Sequence, residues 1–227
     1  MSISLQKNVG LASSSLAVRH RVLRNTYWLL ALSMIPTVLG AVVGVQLQVT
    51  IFNSMFGMLL FLGVAFGFIW AIEKNKNSGV GVAVLLGFTF FMGLMLTPLL
   101  MRTLHYANGA ALIMTAFGGT AAVMVVMASI ATVSKRDFSV VGKWAFSGLI
   151  VLILASIANM FFQVALFQIV ISTVAVAIFS AFLLYDVQRV VNGGETNYIS
   201  ATLSIYLNLY NIFVNLLSLL GLAGDRR

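Results

Sequence analysis

The residues in this chain able to do chemistry are few and clustered toward its C-terminal third. Asp186 is the one acidic residue that falls within or at the end of a long apolar run; Glu73, Asp137, Glu195 and Asp225 all fall between such runs or after the last. An ionisable group at membrane depth marks an ion or proton path, or else a paired charge near the interface. Arg189 lies one helical turn further on, so an interfacial Asp186–Arg189 ion pair is the second reading. Ser204, Asn208, Asn211, Asn215 and Ser218 follow at spacings of 4, 3, 4 and 3, which puts all five on one face of a helix. Such a stripe either glues helices together through hydrogen bonds or lines a small wet cavity. With no cysteine and only His20 and His105, the chain offers no thiolate nucleophile, no thiolate or imidazole metal cluster, and no Ser, His and Asp group with a plausible shared site. It does not read as an enzyme.

These side chains must be carried by membrane helices. The chain has 227 residues, 61% of them hydrophobic and 8% charged, with a mean hydropathy of +1.06. That leaves no polar exterior for a fold in water. A bilayer core of about 30 Å needs about 20 apolar residues per helix. Runs of that kind lie at about 26–45, 51–72, 79–101, 109–133, 144–162, 165–186 and 199–222. The fold class expected is therefore all-α and integral to the membrane, a single seven-helix domain over 26–222. A basic tail at 1–25, rich in serine and expected to lack structure, precedes it, and a short tail at 223–227 follows. Only Gln163 and its neighbours separate the fifth and sixth runs, which requires a tight hairpin.

The net charge of +8 suggests topology signals and no nucleic acid. Arg19, His20, Arg21 and Arg24 directly precede the first span, with no apolar stretch and small-residue cleavage site before them, so that span is expected to stay in the protein. Lys7, Arg19, Arg21, Arg24, Lys74, Lys76, Lys135, Arg136, Lys143 and Arg189 fall on one side of the bilayer, called here the basic face; Arg102, Arg226 and Arg227 fall on the other. The positive-inside rule then puts the N-terminus in the cytoplasm and the C-terminus outside, in the periplasm of a bacterial inner membrane. Lipid tails are as apolar as leucine, so helices in a bilayer associate through small residues and hydrogen bonds. Gly63 with Gly67, Thr115 with Gly119 and Gly118 with Ala122 are the small-residue pairs, expected to pack inside the bundle. The last span is expected to sit centrally, because its polar stripe cannot face lipid.

Four stretches carry a resemblance: Arg24-Asn25-Thr26-Tyr27, Leu184-Tyr185-Asp186, Gly193-Gly194-Glu195-Thr196-Asn197-Tyr198-Ile199 and Leu209-Tyr210-Asn211-Ile212-Phe213. From about residue 20 onward the chain resembles the Bax inhibitor-1 family, and within it the bacterial YccA-like branch. The resemblance implies six helices around a central seventh, and two functions. The branch implies binding and restraint of the membrane-bound AAA protease FtsH, with the basic tail as a handle that a cytoplasmic ATPase could engage. Other members of the family imply a pH-sensitive calcium leak gated by two aspartates, calcium being the transported ion and not a cofactor. Asp186 matches the first aspartate; Asn208 stands at the second. Two adjacent carboxylates share a proton, whereas an amide cannot take part in that titration. It can still offer calcium an oxygen, with one charge fewer. Asp186, Asn208 and Asn211 are thus the gate candidates.

Overall fold

The protein is described by a computed structural model covering residues 2–49 and 54–224. Among the described residues it is built from helices alone: α1 (Ser2–Gln46), α2 (Met55–Lys74), α3 (Gly79–Met95), α4 (Thr97–Leu104), α5 (Gly109–Val133), α6 (Ser139–Phe162), α7 (Ala165–Val191) and α8 (Tyr198–Gly224). Seven stretches are long and apolar enough to cross a membrane, the third made of α3 and α4 together. The break between these two falls at Leu96, and Pro98, which lacks the N–H a continuous helix would use, sits in the first turn of α4. The expected start of the second span at 51–53, and Asp225 to Arg227 of the C-terminal tail, lie outside the described residues.

Over residues 2–25, where the sequence suggests a tail without structure, α1 runs without interruption from Ser2 into the first span. The segment holds no proline and a single glycine at position 10, so nothing in its backbone chemistry stops a helix that the span has already nucleated. The hairpin at the fifth and sixth spans is present. Gln163 takes a left-handed conformation (φ 52°), and Asn159 Oδ1 accepts from Val164 N–H at 3.1 Å, so α6 ends and α7 begins within two residues.

α8 lies in the interior, packed along α7, α5 and α1 and touched by α2, α3 and α4; α6 joins this shell through α7. Ile199, Ile205, Tyr206, Ile212 and Leu217 of α8 are fully buried. The small residues that let helices approach are not those expected. Cβ positions built on Gly63 and Gly67 meet nothing within 4 Å, nor does one on Gly118, so these glycines face away from the bundle; Thr115 is exposed too. Gly119 packs against Leu216 of α8. The tight seam is between α1 and the span made of α3 and α4, where a side chain on Gly40 would run into the carbonyl of Phe90, one on Gly44 into Thr97 of α4, and one on Gly93 into the carbonyl of Thr37. GxxxG spacing alone does not say which face of a helix is turned inward. In α2 the pair points outward.

Candidate functional site

The basic face of the bundle is tied together where α7 ends and α8 begins. α7 closes with Gly193 at φ 77°, its N–H bonded to Val190 O (3.2 Å) and that of Gly194 to Arg189 O (2.8 Å). A β-carbon at Gly193 would strike the Arg19 side chain of α1, so arginine and loop lie in direct contact there. Asn197 then opens α8, its Oδ1 accepting from the N–H groups of Ile199 (2.9 Å) and Ser200 (3.2 Å). Its Nδ2 reaches across to Lys76 O (2.9 Å) and Asn77 Oδ1 (2.8 Å) in the loop between α2 and α3. Gln188, almost fully buried, does the same for the loop between α5 and α6: Oε1 accepts from Phe138 N–H at 2.8 Å and Nε2 donates to Arg136 O at 2.6 Å. One short stretch of chain therefore holds α1 and both other loops on this face.

Asp186 sits in the middle of that arrangement. It is not the end of its helix, because α7 continues to Val191 and carries the carboxylate more than a turn inside. Its side chain is 15% exposed. Asn208 of α8 donates through Nδ2 to Asp186 Oδ2 at 2.8 Å. Arg189 stands 3.9 Å from Oδ1 and closer, 3.3 Å, to Glu195 Oε2. The two readings of Asp186 thus merge: an ion pair exists, but a loose one shared with Glu195, and the short contact is to an uncharged amide. As placed, Asn208 turns a donor toward the carboxylate, so it stabilises a negative charge there without neutralising it. For both residues to hold a calcium ion, the amide must turn its oxygen inward and further oxygens must be recruited, since the ion takes six to eight. Among the described residues no three His, Asp or Glu come together at any point.

The remainder of the expected stripe behaves differently. Asn211 Nδ2 donates to Leu207 O and Asn215 Nδ2 to Asn211 O, both at 2.8 Å and both within α8 itself. Ser204 and Ser218 are half-buried, and among the described residues they form no hydrogen bond to another helix. Asn211 also lines, with Tyr210, Met92, Phe61 and Leu99, a largely apolar cavity of about 510 Å³ between α2, α3, α4 and α8. Apart from Asn208 to Asp186, the hydrogen bonds that tie the body of α8 to its neighbours come from residues the pattern of amides does not mark. Thr202 Oγ1 reaches Thr26 O of α1 (3.3 Å), the Tyr206 hydroxyl meets Thr37 Oγ1 of α1 (2.9 Å), and the Tyr210 hydroxyl donates to Met92 O of α3 (3.2 Å). These three also follow a helical spacing, of 4 and 4. Tyrosine and threonine count as ordinary members of apolar helices, which is why the row is easily read past; Gln188, a lone amide two residues beyond Asp186, carried a plainer signal.

A helical bundle with seven stretches long and apolar enough to cross a membrane defines a multi-pass membrane protein. The family described as "Inhibitor of apoptosis-promoting Bax1" matches residues 19–225, and the chain belongs to it, the Bax inhibitor-1 family. Among its relatives, the Escherichia coli K12 protein named "Modulator of FtsH protease YccA" is 36% identical over 211 residues, 93% of this chain and 94% of that one. A membrane protein of Vibrio cholerae is 36% identical over 206 residues, 91% of each chain. A protein of Neisseria meningitidis serogroup B is 35% identical over 212 residues, 91% of this chain and 93% of the other.

Proposed function

We propose that the protein is an inner-membrane modulator of an FtsH-type AAA protease, oriented with its N-terminus and basic face in the cytoplasm. The observation that carries this reading is the near full-length match to the Escherichia coli relative of that name. The architecture supports it physically. A cytoplasmic ATPase that grips the α1 extension has to pull against Arg19 seated on the loop at Gly193, and against the Asn197 and Gln188 ties. A substrate that can be engaged but resists extraction occupies the protease and slows its turnover of others.

The test is co-purification from membranes together with turnover of a protease substrate. The full chain should associate and slow turnover; a chain lacking residues 1–18 should restore it toward the unrestrained rate. If neither association nor any change in turnover is seen, the reading is wrong.

A second reading rests on Asp186, a carboxylate inside the bundle with one amide donor and a shared guanidinium. It makes the protein a pH-sensitive calcium leak in which Asp186 acts at the gate. Calcium flux into proteoliposomes should then depend on pH in the wild type and lose that dependence in Asp186→Asn. A flux that ignores both pH and the substitution removes Asp186 from any gate.

A further inference from the structure

At the point where α1 enters the first span, His20, Arg21, Leu23, Arg24 and Tyr27 line a recess of about 520 Å³. His20, Arg24 and Tyr27 recur at intervals of 4 and 3, so they share one face of the helix. His20, Arg21 and Arg24 are exposed. The ion pairs among the described residues are Lys76–Glu73, Arg189–Asp186 and Arg189–Glu195, so neither arginine of the recess is paired with a carboxylate of the described residues.

The surroundings fix the depth. The uncharged apolar run of α1 begins at about residue 26, directly after Arg24, and Trp28, Leu32, Ile35 and Leu39, which follow the recess, are exposed on the helix surface. On α2, at the same face of the bilayer, Lys74 Nζ lies 4.7 Å over the ring of exposed Trp70, an aromatic and a cation placed as residues at the headgroup level are. The recess thus joins fixed positive charge at its rim to an apolar, lipid-facing helix directly below. An inorganic anion would satisfy the arginines but would have no use for the Tyr27 and Trp28 surface. A lipid with a phosphodiester head satisfies both at once.

We propose that this recess is a binding site for the headgroup of an anionic phospholipid of the leaflet on the basic face, with Arg21 and Arg24 on the phosphate and Tyr27 and Trp28 against the upper acyl chain. Basic pockets at that depth hold such headgroups in other membrane proteins. Two arginines at the surface contribute about fivefold each, so phosphatidylglycerol should be retained roughly twenty-five-fold over phosphatidylcholine.

The experiment uses the full-length protein, purified and presented with phosphatidylglycerol or phosphatidylcholine in nanodiscs, with retained lipid counted by native mass spectrometry. Arg21→Gln with Arg24→Gln should abolish the preference, and Arg21→Lys with Arg24→Lys should keep most of it. Lys135→Gln with Arg136→Gln removes the same charge from the same face outside the recess and should leave most of the preference intact. An equal loss in that control means a diffuse surface effect and overturns the site. Inorganic phosphate should not displace the lipid; displacement at modest concentration shows an ion site and overturns the proposal as well. Should the glutamine pair fail to fold, the wild type still decides: retention that does not fall as salt is raised contradicts a charge-held headgroup.

Discussion

Gly40→Leu should unfold or loosen the bundle, while Gly63→Leu in the more conspicuous motif should change its stability by no more than about 0.5 kcal/mol. The difference follows from what each new side chain meets. At Gly40 the first atom added collides with the backbone carbonyl of Phe90, and Leu94 N stands close behind. Both belong to a helix, so no side chain can swing aside and α1 must move off α3. Overpacking of that kind costs about 1–3 kcal/mol and can exceed it where only backbone can yield. At Gly63 nothing lies within 4 Å. Leucine is also a better helix former than glycine, so the small change expected there is a gain. Unfolding in graded SDS, with size-exclusion profiles of both variants, measures the contrast. A larger loss for Gly63→Leu would mean that α2 is covered in the membrane by another chain.

That contrast shows where sequence reading works on a membrane protein and where it stops. Span number and class follow from transfer energetics, because every 20-residue apolar run must be buried in lipid or protein, and all seven appear. The rotation of each helix is invisible to the same argument. A lipid-facing leucine and a core leucine look alike, which is why Gly63 and Gly67 were expected inside, and why the seam at Gly40, Gly44 and Gly93 was not. For the same reason the tyrosine and threonine row of α8 escaped notice while the asparagines stood out. Asp186 was legible as the one odd charge; its position inside α7, and not at its end, was hidden because Val187, Val190 and Val191 extend the helix across a charged turn. The site's loop ties depend on contacts between residues some 50 to 120 positions apart, such as Gln188 with Phe138 and Asn197 with Lys76, and no local pattern announces them.

Replacing Asn208 by leucine should cost about 2 kcal/mol, and replacing Asn211 or Asn215 should cost far less, although the three amides share one face. Asn208 is buried and its donor goes to a carboxylate on another helix. Hydrogen bonds to charged groups contribute about 1.5–3 kcal/mol, above the average of about 0.6 for neutral bonds between membrane helices. Losing the donor leaves Asp186 with Arg189 alone, at 3.9 Å and already engaged with Glu195. The amides of Asn211 and Asn215 return to carbonyls of their own helix, so leucine there removes donor and need together. Asp186→Leu removes the same bond from its other end. The double variant should therefore lose less than the sum of the singles by about 1–2 kcal/mol, the coupling expected of residues in direct contact. Strict additivity in SDS unfolding would show that water or lipid replaces the amide without loss, and that α7 and α8 are held at this end by the Gly193 and Asn197 loop alone. Coupling of the expected size makes Asp186–Asn208 a strut between the two helices, one that any motion separating them must first break.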